Sequence, residues 1–420
     1  MVKIRFLGGA QEVGRSSFMV KDKEKILLDH GIKLSAETQE YPLKLKEKPD
    51  AVVISHAHLD HSGYLPNIFS KISPLTYMTP PTLHLAKILW RDSLKIADLE
   101  ETEPPYSLED ISRTERFVFP LSYRKEMTIK EGTSIEFFDA GHILGSAITK
   151  LNLNNSTLVY TGDFMLSETR LHSGADLRIK ECDILLIEST YGDREHPDRI
   201  KSEKEFVKSV HETIDEGGWA VIPAFAIGRS QEVIDILVQY GIDEEIFFDG
   251  MGLRASKVYL SYPTYLKQAK NLFKALDSVN WIKGSKDRKK ALKKPSIIVT
   301  TAGMLQGGPA HHYINQIAKD KSSGIFLTGY QVEGTPGRIL KETNKIELNQ
   351  GIVDVKAKVK QFDFSAHASR LELMKTIEKL SPQKIVLIHG DEKVALGFQK
   401  ELKQKGFKAF VPKKGEELEL

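Results

Sequence analysis

Three histidines and an aspartate fall within six residues, His56-Ala57-His58-Leu59-Asp60-His61, in a chain with only 13 histidines among 420 residues. Imidazole nitrogens and a carboxylate at this density suit a borderline-soft divalent cation such as zinc, whereas calcium and magnesium favour sites built from oxygen alone. In an extended loop His56 and His58 are two positions apart and project to the same side. Asp60 and His61 fall where the backbone turns toward a helix, so they aim at a neighbouring point. A surface loop that happens to be rich in histidine is the plain alternative, and the tight spacing argues against it.

One short motif cannot complete two metal sites. Further donors recur after apolar runs and beside glycine: Asp29 in LLDHG, His142 in AGHILGS, Asp163 in YTGDF and His389 in LIHGD. Taken singly, each reads as a turn former or a core residue. Together, five histidines and three aspartates at strand ends read as a binuclear centre. Cys182 is the only cysteine, which excludes a disulfide framework or a thiolate zinc site within one chain, and its setting CDILLIEST reads as core.

The donors need elements that end at a common place. Lys3–Leu7, Ser17–Val20, Ile26–Asp29 and Ala51–Ser55 read as strands, followed by a helical pattern after Pro81. Strands are predicted again at Ser134–Phe138, Ala147–Leu153, Thr157–Thr161 and Ile184–Glu188. From about Arg194 the rhythm becomes helix–strand–helix, which argues for a parallel sheet with helices on both faces. After about Gln361 come a helix from Ser369, the strand Lys384–Ile388, a further helix and a short final strand. A β-rich start, an α/β middle and an α/β end point to an insertion into a first domain, and 420 residues are too many for one ordinary core. With 40% apolar and 28% charged residues the chain reads as globular, with no bilayer-spanning run and no cleavable leader, so a cytoplasmic location is expected. The net charge of +3 does not by itself imply nucleic acid.

These motifs resemble the metallo-β-lactamase superfamily, and over nearly the whole length the chain is similar to its β-CASP branch of nucleases, in particular the endonuclease of the cleavage and polyadenylation complex and its shorter archaeal and bacterial relatives. Asp29, His56–His61, His142 and Asp163 match the four superfamily motifs. Glu188 in ESTYGDR, His367 in FSAHAS and His389 in IHGD match motifs A, B and C of the branch. The resemblance implies an αββα sandwich over residues 1–193 and 361–420, with an inserted β-CASP domain of mostly parallel sheet over 194–360. It also implies two zinc ions, one on His56, His58 and His142 and one on Asp60, His61 and His389, with Asp163 bridging. Asp29 would then fix a ligand imidazole from behind. Two zincs roughly 3.5–4 Å apart can hold a bridging hydroxide that attacks phosphorus in line. His367 would serve as general acid, with Glu188 setting its tautomer, giving products with a 5′-phosphate and a 3′-hydroxyl.

The implied activity is zinc-dependent hydrolysis of single-stranded RNA in processing or decay, as an endonuclease with 5′→3′ exonuclease activity as a further option. A DNA-processing enzyme of the same fold and a partner-dependent subunit of an RNA 3′-end processing complex are the alternatives. His389 at motif C favours RNA, since DNA-repair members carry an apolar residue there. Phosphate contacts are expected from Arg229 and Ser230 at a helix start and from Arg338 in a glycine-rich loop. The basic run Lys286–Lys294 reads first as a solvated helix face. No membrane is expected as a partner; a homodimer and an RNA-processing complex are the associations left open.

Overall fold

The computed structural model describes residues 1–34, 39–348 and 351–420. The chain divides into two compact units, Met1–Glu195 with Ala366–Leu420, and His196–Ser365.

The first unit is built on two seven-stranded sheets. One runs, edge to edge, Glu417–Glu419, Lys3–Gly8, Ser17–Lys21, Lys25–Leu28, Ala51–Val53, Leu75–Met78, Val118–Pro120. The other runs Ala409–Phe410, Lys384–Ile388, Ile184–Glu188, Ser156–Tyr160, Ala147–Leu153, Thr133–Asp139, Met127–Lys130. Alternate side chains of both sheets meet in one core. Ile4, Phe6, Phe18, Val20 and Leu28 come from the first sheet, and Ile135, Phe137, Leu151, Tyr160, Leu186 and Val386 from the second. The opposite face of the second sheet, through Phe138, Ile148, Val159, Leu185, Ile187 and Leu387, packs on Leu373 and Ile377 of helix Arg370–Leu380 and on Phe398 and Leu402 of helix Glu392–Gln404. Burial on both faces explains why ILLIE and KIVLI are apolar without alternation. On the first sheet's side, helix Pro80–Leu99 buries Leu85, Ala86, Leu89 and Trp90, and Trp90 Nε1 donates to Ser62 O at 3.0 Å.

Half of each sheet is parallel. Lys25–Leu28, Ala51–Val53, Leu75–Met78 and Val118–Pro120 run one way in the first sheet. Ser156–Tyr160, Ile184–Glu188, Lys384–Ile388 and Ala409–Phe410 run one way in the second. Parallel strands deliver all their C-terminal ends to one edge, where ligand-bearing loops collect.

The second unit carries a six-stranded, wholly parallel sheet in the order Asn280–Trp281, Ile246–Asp249, Ile297–Thr300, Ala220–Pro223, Gly324–Leu327, Lys358–Gln361. Val221, Ile298 and Ile325 from its centre pack on Tyr313, Ile314 and Ile317 of helix Pro309–Ile317. Lys345–Leu348 and Gly351–Asp354 form an antiparallel pair.

The strand readings at Asp29 and Ser55 overran: the elements stop at Leu28 and Val53. Asp29 sits at φ +54, the left-handed region, so the strand breaks where its carboxylate turns inward. Among the described residues no helix is long and apolar enough to cross a membrane.

Candidate metal centre

Asp29 follows the end of strand Lys25–Leu28 and is wholly buried. Its Oδ1 accepts Ser55 N–H at 2.7 Å; its Oδ2 accepts the Ser55 hydroxyl at 2.7 Å, His61 Nδ1–H at 2.7 Å and the Tyr160 hydroxyl at 2.5 Å. A buried carboxylate bonded by four donors is held in one orientation. With Nδ1 donating to Asp29, His61 aims Nε2 at Asp163. That nitrogen is buried, has no hydrogen-bond partner, and lies 3.2 Å from Asp163 Oδ2.

The HAHLDH stretch leaves Val53 as an extended loop and closes into the short helix Leu59–Ser62. His56 and His142 bracket Asp163 at 3.6 and 3.9 Å, and His142 Nε2 lies 3.1 Å from His58 Nδ1. His142 Nδ1–H donates to Ala366 O at 2.7 Å, which fixes its tautomer. Asp163 follows Gly162, whose φ of +55 and whose absent Cβ, 2.7 Å from Ser55 Cβ if present, allow the turn. His389 follows strand Lys384–Ile388 at φ +46, its own N–H donating to Gly9 O at 2.7 Å. Its Nε2 donates to Asp60 Oδ2 at 3.2 Å and its Nδ1 lies 3.1 Å from Asp163 Oδ1. Gly390 is glycine because a Cβ would stand 2.3 Å from Ser189 Oγ.

Among the described residues three donor sets result, each with one atom per residue and all atoms within 4.8 Å of one another: His56, His58, His142, Asp163; Asp60, His61, Asp163, His389; and Asp163, Glu188, His367. Asp163 belongs to all three. Burial, reinforced by His61, pushes His56 well below the usual imidazole range, and burial with His367 nearby does the same to His142. Both are therefore neutral imidazoles, the form that binds a metal. Burial opposes charge on His61 and His389, but Asp163 and Asp60 outweigh it, raising His61 well above its ordinary value and His389 to about 10. Unpartnered buried nitrogens on His56 and His61, neutral imidazoles and two anionic aspartates are what a bound metal cation would satisfy.

Beside this cluster, Glu188 closes strand Ile184–Glu188. Its Oε1 accepts Phe164 N–H at 2.9 Å and its Oε2 accepts His367 Nδ1–H at 3.0 Å. The His367 side chain is 23% exposed, where Glu188 is buried. Burial lowers His367, but Glu188 and Asp163 prevail and its pKa is raised. The imidazole is thus anchored through Nδ1 on a side chain that is partly exposed.

The residues expected to grip phosphate lie in the second unit, each with a local partner. Arg229 begins helix Arg229–Gln239 and pairs with Glu232 at 2.5 Å, 5.9 Å from the Phe364 ring. Ser230 is buried and donates to Ala226 O at 3.1 Å. Arg338 pairs with Glu342 at 2.5 Å on the surface. In the basic run, Arg288 binds Asp249 at 2.6 Å, and Lys290 and Lys294 reach Glu245 at 3.8 and 2.8 Å, so a good part of its charge is neutralised. Sequence reasoning missed Ser55 and Tyr160, which hold Asp29; Ser55 adjoins the histidine cluster, whereas nothing local marks Tyr160.

Comparison with known proteins gives the family of the chain. The Beta-Casp domain model matches residues 230–340, the Zn-dependent metallo-hydrolase RNA specificity domain matches 352–412, and the anti-Pycsar protein Apyc1 model matches 4–192. The chain is 42% identical to the probable RNase MJ4 of Methanocaldococcus jannaschii over 100% of both proteins. It is 34% identical to RNase aCSPSF2 of Saccharolobus solfataricus, over 99% of this chain and 85% of that protein. It is 33% identical to the transcription termination factor FttA of M. jannaschii, over 94% of this chain and 68% of that protein. A crystal structure of a protein of unknown function from Enterococcus faecalis V583 shares the fold, with TM-score 0.62 at 14% identity over 99% of each chain.

Proposed function

This chain belongs to the β-CASP branch of the metallo-β-lactamase superfamily, and from that membership we propose that it is a two-zinc ribonuclease that cleaves single-stranded RNA by hydrolysis, acting as an endonuclease with a 5′→3′ exonuclease mode available. The observation that carries this reading is Asp163, shared by two four-residue donor sets and lying 3.9 Å from His367 Nδ1, on the Glu188-anchored imidazole. His56, His58 and His142 would hold one zinc and Asp60, His61 and His389 the other, with Asp163 between them. Zinc bound there supplies Lewis acidity, lowering the pKa of water and offsetting the negative charge that builds on phosphate during an in-line displacement.

The chain's own residues do the rest. Asp29 keeps His61 in the tautomer that presents Nε2. Glu188 holds His367 Nδ1, leaving Nε2–H to protonate the departing 3′-oxygen as the phosphorus–oxygen bond breaks. The products carry a 5′-phosphate and a 3′-hydroxyl. Arg229 and Arg338 are proposed to meet the RNA backbone by exchanging a carboxylate partner for a phosphate, whereas Ser230, wholly buried and bonded to Ala226 O, is not placed to do so.

The test is cleavage of an internally labelled, end-blocked single-stranded RNA by wild type and His367→Ala, with zinc counted in the same preparations. About two zincs in each protein, with internal cuts by wild type alone, is the expected result. Full zinc occupancy in a wild type that leaves the RNA intact would overturn the autonomous nuclease reading.

A further inference from the structure

Glu372 lies in the first turn of helix Arg370–Leu380, is 7% exposed, and belongs to none of the donor sets. Its Oε2 accepts Ser369 N–H at 2.9 Å while the Ser369 hydroxyl accepts Glu372 N–H at 3.4 Å, the reciprocal box that starts this helix. Such a box needs one carboxylate oxygen. The other is also taken: Oε1 accepts two bonds from Ser167, from its N–H at 2.7 Å and its hydroxyl at 2.6 Å.

Those two serines stand on the stretches that matter. Ser167 is four residues past Asp163, in a segment whose Met165 N–H donates to Ala140 O at 2.9 Å, just ahead of His142. Ser369 is two residues past His367 and bridges to Tyr191, beside Glu188 in sequence. We propose that Glu372 is a positioning residue for the reaction. It braces the stretch carrying Asp163 against the stretch carrying His367, fixing where the imidazole points. The proposal rests on the general-acid reading of His367. Glu188 spans the same two stretches through Phe164 N–H and His367 Nδ1–H, so Glu372 is a second tie. Two ties between these stretches set the direction of His367, where one would leave a pivot.

Glu372→Gln separates this role from capping. Glutamine is accepted at the third position of a capping box. Its amide has only one accepting end, so it cannot serve both Ser369 N–H and the two Ser167 donors. Ser167→Ala removes the hydroxyl half of the tie and leaves the helix cap untouched. In zinc-loaded protein well below its melting temperature, kcat on RNA is expected to fall about ten-fold or more, with KM and zinc content unchanged. Amide hydrogen exchange over residues 164–169 and 366–369 is expected to quicken in both variants. Wild-type kcat in either folded, zinc-loaded variant would overturn the proposal, whatever its melting temperature. If Glu372→Gln does not fold, Ser167→Ala decides by the same criteria. If wild type itself cleaves no RNA, the functional reading fails separately. Exchange then still decides the brace, upheld by faster exchange and refuted by an unchanged rate.

Discussion

Asp29 is one carboxylate taking donors from Ser55, His61 and Tyr160. Asparagine at that position keeps the shape but turns one acceptor into a donor, setting an N–H against N–H or O–H groups and leaving His61 free to flip. Asp29→Asn is expected to weaken zinc binding about 10–100-fold, as loss of a residue that fixes a ligand imidazole does, read by competition with a chromogenic chelator. Unchanged affinity would mean that His61 is oriented without Asp29. Next in sequence, His30 is 3% exposed, accepts or donates one bond to Ser17 Oγ at 3.0 Å, and is pushed by burial down to about 3. The unfolded chain takes up that proton first as pH falls, so stability is lost from about pH 6.5 toward 3, at up to about 1.4 kcal/mol per unit. In metal-free protein His30→Gln should flatten the denaturation midpoint over that window relative to wild type; parallel curves would show that His30 does not resist protonation.

At the scale of elements, the site depends on loops that leave parallel strands at one edge, and turn geometry decides whether a donor arrives. Gly162→Ala forces a left-handed φ on a residue with a Cβ and drives that Cβ into Ser55. A loss of roughly 1–3 kcal/mol in unfolding free energy, with less than full zinc, is expected from calorimetry and metal analysis. Full stability with full zinc would show that the turn absorbs a side chain. Much of this level was legible beforehand. The apolar runs ending in Asp29, His56, Asp163, Glu188 and His389 are written in the sequence because buried parallel strands must be apolar and their ends polar. What was not legible depends on long-range packing. Val118–Pro120 and Met127–Lys130 are short edge strands with exposed residues, so they carry little periodic signal. Tyr160 reads as one more core aromatic until its hydroxyl is seen on Asp29. Nothing in the sequence around Glu372 points to Ser167, distant in the chain, which bonds its Oε1.

For the whole molecule, all the proposed metal ligands fall in the unit made of Met1–Glu195 and Ala366–Leu420, and the His196–Ser365 unit has its own core. On the proposed reading zinc would bind the folded form of the first unit, so chelation is expected to lower the stability of that unit specifically, by about 1.4 kcal/mol for each ten-fold excess of free zinc over its dissociation constant that is removed. The calorimetric trace of chelated protein is expected to gain a lower-temperature step, with exchange in residues 196–365 unchanged below it. A trace shifted as a whole would mean that the two units unfold together.

The first unit closes on itself across the inserted segment. Arg370 N–H donates to Arg194 O at 3.0 Å, Leu371 N–H donates to Glu195 Oε1 at 2.9 Å, and Tyr191 bridges to Ser369. Seen from the growing chain, the strand that supplies His389 is synthesised only after roughly 170 residues of detour, and bringing such distant ends together costs on the order of 4–5 kcal/mol of chain entropy if the detour is still a coil. Condensing His196–Ser365 first would shorten that tether, so an inside-out order of maturation is the cheaper one. On that order the seam at Tyr191–Leu371 would zip after the inserted unit is globular, and His389 would join the other donors at the end of biogenesis rather than the beginning.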